Sequence, residues 1–164
     1  MKINKEIWWL SCLRILLFFF FFHCDSDNAL TYGNRMMDAI NRSTEDMEPM
    51  NDALSKEDYV LAERIRKSWE KKLKTAIEEV ESIGDFKEDP SYKNACLSAM
   101  EIYENSIGTD YKRLVELRKN EKNGIEIDRT ELRTLSRRID RDLKKAAQEL
   151  NAASEKFERK NFVR

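Results

Sequence analysis

Along most of the chain, apolar side chains recur at steps of three and four residues, a rhythm that predicts helices. Four stretches carry it. Tyr32, Met36, Ala39, Ile40, Met47, Met50 and Leu54 mark a first helix from about Asn28 to Leu54. Pro49 is expected to kink it or end it early, because proline lacks an amide donor and crowds the preceding turn. Ser55, with Asp58 three places on, is the expected cap of a second helix. Its stripe is Ala62, Ile65, Trp69, Leu73, Ala76, Val80 and Ile83, and Gly84 is the expected left-handed end.

Asp89-Pro90 opens a third helix, a start signal because proline's missing amide is not needed in a first turn. Tyr92, Ala95, Ala99, Tyr103, Ile107, Tyr111, Leu114 and Val115 then face inward, with Gly108 expected to let a neighbour approach. A loop over 119–127 contains Asn123-Gly124, and Asp128 with Glu131 caps a fourth helix. Leu132, Leu135, Ile139, Leu143, Ala146, Leu150, Ala153 and Phe157 form its stripe. Each stripe can be buried only against the other three, and short connections set neighbours antiparallel. The expected fold is therefore all-α, a four-helix up-down-up-down bundle. Composition agrees: 164 residues with only four Gly and two Pro leave too few turn formers for a β-sandwich, and 37% charged residues suit solvated helix faces.

The first 24 residues read differently. Lys2, Lys5 and Arg14 precede Ile15-Leu16-Leu17 and five phenylalanines, Phe18 to Phe22, the layout of an export signal. Sixteen residues from Ile7 to Phe22, with Arg14 among them, fall short of the ~20 apolar residues a spanning helix needs. An uncleaved single-pass anchor is the alternative reading. Cys24 stands directly after the apolar run, an arrangement that resembles a bacterial lipoprotein precursor, although His23 and Phe21 replace the usual small and aliphatic residues. The expected division is a signal peptide over 1–23, a lipid-anchored acidic tether over 24–28 beginning at the lipid-bearing Cys24, and the bundle over 29–164. Acyl chains on Cys24 would hold the protein to the membrane at ~0.8 kcal/mol per buried methylene. The chain from Cys24 onward carries 27 basic and 30 acidic side chains, a net of −3.

Tyr32, Ile83-Gly84-Asp85-Phe86 ahead of Asp89, Tyr103 and Phe157 give the chain, over about residues 29 to 163, a further likeness. It resembles a family of small helical bacterial surface proteins and lipoproteins to which no activity is assigned. The resemblance implies an exported helical bundle and supplies no catalytic residues.

Candidate chemistry is sparse. His23 is the single histidine and leaves with the signal, which removes Ser-His-Asp and Cys-His catalysis and histidine-containing metal sites. Of three cysteines, Cys12 leaves too, Cys24 carries lipid, and Cys96 at helical spacing reads as a buried, inert thiol. Asp25-Ser26-Asp27 starts like a calcium loop, but Leu30 and Met36 stand where glycine and glutamate are required. Asp85, Glu88 and Asp89 could gather round a divalent cation, and read better as caps. No cofactor is expected and no metal site is assigned.

Charge, finally, is segregated. Residues 25–58 hold nine acidic and three basic side chains, a net of −6, whereas 112–145 hold seven acidic and twelve basic, a net of +5. Arg133, Arg137, Arg141 and Lys145 form a ladder that could take an anionic ligand. In a simple bundle, however, the first and fourth helices are neighbours, and the expectation is that the acidic half neutralises this ladder. No nucleic acid is expected as partner. The sequence thus predicts a non-enzymatic protein of the bacterial cell envelope, at the outer membrane or cell surface. It is expected to be anchored through Cys24 and to play a binding or structural part, with a protein partner in the envelope. A periplasmic holdase is the alternative.

Overall fold

A computed structural model of the chain describes residues 28–162. The expected signal peptide, Cys24 and the expected tether up to residue 27 lie outside the described residues. The described part is all-α. Its helices are α1 (Ala29–Thr44), α2 (Met47–Ser55), α3 (Tyr59–Ser82), α4 (Ser91–Asn105), α5 (Lys112–Lys122) and α6 (Arg129–Asn161), with a π-helical turn, Ser106–Tyr111, joining α4 to α5. They make four rods: α1 with α2, α3, α4 through α5, and α6. Antiparallel order follows from the pairs across them, Arg42 to Glu79, Glu70 beside Gly108, and Arg113 to Glu131. Met36, Trp69, Leu73, Met100 and Ile107 are fully enclosed between the rods.

The first rod breaks earlier than Pro49, at Glu45 and Asp46. A proline clashes with the carbonyl four residues before it, here that of Glu45, so the helix must break at that residue and restart. Pro49 then sits in the first turn of α2, where no amide is missed. The break frees the Ser43 carbonyl, which accepts the buried Trp69 indole N–H at 2.6 Å.

Other ends differ from the sequence reading. Ser55 closes α2, and Asp58 caps α3 by accepting from the Leu61 amide at 2.9 Å. Between them Glu57 takes φ 54°, with Asp58 N–H donating to Ala53 O and Glu57 N–H to Leu54 O. This is the double bond of a Schellman ending, here without glycine. Gly84 is not left-handed; Ile83 leaves α3 in extended conformation and the chain turns at Lys87 and Glu88, φ 50° and 63°. The third rod runs on to Lys122, where Gly124 at φ 75° makes the ending that Glu57 makes elsewhere. Asp128 caps α6 as expected, accepting from Thr130 N–H at 2.7 Å, whereas Glu131 turns away to grip Arg113. Along α6 the stripe is buried at Leu132, Leu135, Ile139, Ala146, Leu150 and Phe157, while Leu143 and Ala153 are half-buried.

The π-helical turn has a cause in the stripe itself. Tyr103, Ile107, Tyr111 and Val115 are buried at three successive steps of four. On a 3.6-residue helix each such step drifts about 40° off the face. One wider turn absorbs the drift and keeps all four rings and chains against the core.

Candidate functional site

Two places bring polar groups together inside the bundle. The first surrounds the π-helical turn. Arg66 occupies the inward position next to Ile65 and is only 4% exposed. It is held by Glu63 at 2.8 and 2.9 Å, Glu70 at 3.0 Å and the Ile107 carbonyl at 3.4 Å. Hydrogen bonding from Arg66 holds both glutamates below the usual carboxylate range. One turn on, buried Asp110 accepts from Arg138 Nε at 2.8 Å and from its second nitrogen. Burial pushes the neighbouring Tyr111 hydroxyl up to about 12. Each charge here already has its partner, which makes this layer a means of fixing the register of three rods rather than a place for a ligand.

The second place is concave. At the amino-terminal end of the bundle, a pocket of about 410 Å³ opens between the 86–91 connection, the start of α4 and the end of α6. Its floor is aromatic: Tyr92 stacks on Phe157 with centroids 4.7 Å apart and planes at 19°, and Phe86 meets Phe157 edge-on at 5.2 Å. Tyr32 of α1 packs beneath, 5.1 Å from Phe86 and 5.6 Å from Phe157. Its hydroxyl is buried without a hydrogen-bond partner, and burial, then Asp85, pushes it up to about 12.

The rim is cationic, with Lys87, Lys156 and Lys160 against Asp89. Asp89 is taken up by Lys160 at 2.6 Å and by the Ser91 amide at 3.0 Å, which hold it well below the usual range. Lys87 lies 5.0 Å over the Phe86 ring. Lys87 and Glu88 form the tip of the Phe86–Asp89 turn in left-handed backbone, a conformation that costs a residue with a Cβ ~1–2 kcal/mol. Positive φ at both positions, with the Asp89 amide donating to the Phe86 carbonyl at 2.9 Å, is the form of a tight two-residue turn, which sets Lys87 on the rim. With Lys160 taken by Asp89, an aromatic floor beside the Lys87 and Lys156 ammonium groups suits an anion with an apolar body.

Asp85 pairs with Lys93 at 3.4 Å and Asp89 with Lys160, so these carboxylates face lysines, and no cluster fit for a metal occurs among the described residues. Cys96 is wholly buried and burial pushes its thiol up to about 12, which keeps it unreactive at neutral pH. Arg133, Arg137, Arg141 and Lys145 are all exposed, as a ladder should be. The expected neutralisation by the first helix does not occur. Arg141 pairs with Asp142 and Lys145 with Glu149 of their own helix. The acidic residues of the first rod turn to α3 instead, in Glu45 and Asp46 to Lys72. The reason is geometric: α1 meets α6 around Phe157, which contacts Tyr32 and lies 3.6 Å from where a Cβ on Gly33 would stand. That is twelve or more residues, ~18 Å of helix, from the ladder.

Tyr32 and Tyr92 belong to a set of amphipathic rings that, at a bundle's end, could line a cleft and more often serve as core. Phe86 and Lys87 fall in a loop of the sequence, and only the packing of distant segments brings them together with Phe157, Lys156 and Lys160 around a pocket.

The described fold is thus an all-α helical bundle with one aromatic, lysine-rimmed pocket at an end. No family model matches the chain, and no curated protein or solved structure matches it.

Proposed function

We propose that this is an exported, envelope-located protein, lipid-anchored at Cys24, whose bundle serves a non-catalytic binding role through the pocket at its amino-terminal end. The observation that carries the reading is the stacked Tyr92–Phe157 pair in a pocket lined also by Lys87 and Lys156. The ligand it fits is a small anion with an apolar or aromatic portion. Catalysis finds little support. Asp110 is the one buried carboxylate among the described residues, and Arg138 occupies it, so facing carboxylates for acid-base work are missing there. A holdase needs a long apolar face, but Leu30, Val60, Ile125 and Phe162 are the exposed large hydrophobics and are spread over both ends.

The test is equilibrium binding of naphthalene-1-sulfonate to the full chain held in neutral-lipid nanodiscs. Saturable binding to the wild type, lost when Ala153→Trp fills the pocket with helicity unchanged, is the expected result. Equal binding by both forms would remove the pocket from consideration.

A further inference from the structure

The pocket lies at the end of the bundle where the chain arrives from its apolar amino-terminal run. Asn28 caps α1, accepting from the Thr31 amide at 2.8 Å, and one turn further Tyr32 packs under the pocket floor. Only residues 23–27 separate Phe22 from Asn28. Four residue steps from Cys24 to Asn28 reach at most ~14 Å fully extended. A lipid on Cys24 therefore keeps this end close to the membrane surface, and an uncleaved apolar anchor would do the same. The opposite end, with Val60 and Ile125, is a rod's length away.

The surface of this end suits that placement. Leu30 is 59% exposed and Phe162 47%, and Phe162 stands edge-on to Phe157 at 6.3 Å, beside the pocket. Exposed apolar and aromatic side chains next to lysines are what an interfacial surface presents to headgroups. Of the acidic groups at this end, Asp85 is taken by Lys93, Asp89 by Lys160, and Glu155 by Arg159. Glu81, Glu88 and Glu158 remain exposed, Glu158 accepting from Ser154, and Asp25 and Asp27 follow Cys24 in the sequence, so the charge that favours an anion is confined to the pocket mouth. Lys87 and Lys156 are left at the pocket mouth with no carboxylate partner among the described residues.

Resting on the binding role proposed above, we infer that this end docks on the membrane that anchors the chain, and that the pocket takes one anionic phospholipid from it. Lys87 and Lys156 would hold the phosphate, and the Tyr92–Phe157 floor the first methylenes. A pocket of about 410 Å³ admits a headgroup and the start of a chain, far less than a whole phospholipid, so the lipid stays in its leaflet.

The experiment reconstitutes the full chain in phosphatidylcholine vesicles containing a trace of phosphatidylglycerol with a photoreactive group near the glycerol. Adducts are mapped by mass spectrometry. Labelling should concentrate on the peptides carrying Tyr92 to Ala95 and Ala153 to Phe157, and excess phosphatidylglycerol should compete it away. Lys87→Glu with Lys156→Glu should cut it at least fivefold with the helical spectrum unchanged. Labelling spread evenly over the bundle, or equally strong from a phosphatidylcholine probe, would overturn the inference. If naphthalene-1-sulfonate still binds the pocket in that event, the membrane source alone is lost. If neither probe finds the pocket, the binding role falls with it.

Discussion

Arg66 shows how a single buried side chain can tie three segments. Its guanidinium is always charged, so its burial is tolerable only while Glu63 and Glu70 stay ionised and the Ile107 carbonyl stays free. Both glutamates titrate lower in the folded protein than in the unfolded chain. Their stabilisation is therefore complete above the ordinary carboxylate range and is lost as pH falls through their lowered values. Unfolding midpoints in urea should fall from about pH 5 toward pH 2. Glu70→Gln should cost ~1 kcal/mol at neutral pH, since the buried guanidinium loses a negative partner, though not an acceptor, at a site about one-third exposed, and should flatten that pH dependence. A steep dependence retained in the variant would mean that other carboxylates control acid stability.

Among the helices, the informative one is the third rod. Its π-helical turn reconciles a stripe stepping by four with a backbone that steps by 3.6, and the Ile107 carbonyl within it also accepts from Arg66. Gly108 sits in that turn, yet a Cβ there would touch only the Glu70 carboxylate at 3.9 Å, an ordinary contact. The close approach expected from the glycine is not what keeps it. Gly108→Ala should therefore stabilise the protein by ~0.4–1 kcal/mol, by restricting the unfolded chain, measured as a higher thermal midpoint. Along α6, Leu150→Ala should cost ~2–5 kcal/mol by denaturant titration, because Leu150 is enclosed. Leu143, half-buried at the edge of the same stripe, should cost clearly less. Equal losses would show that the stripe turns further toward Leu143 than its exposure indicates.

For the molecule as a whole, the contacts between rods decide what the charged surface does. α1 meets α6 at Phe157, far along the helix from the ladder, and the ladder faces solvent. Arg137→Glu with Arg141→Glu should change stability by less than ~1 kcal/mol, and Asp38→Lys with Glu45→Lys should rescue nothing. A rescue in thermal unfolding would put the first rod back beside the ladder. Four rods, their stripes, the Asp128 cap and the buried Cys96 are readable from residues alone, because periodicity and capping depend on neighbours within a turn or two in the chain. Even Pro49's break and the π-helical turn leave local traces, in the carbonyl four residues back and in the steps of four. The partners of Arg66 on the third rod, the desertion of the ladder and the lysine-rimmed pocket leave none. Each arises where side chains dozens of residues apart are brought within a few ångströms, and that meeting depends on how whole rods pack.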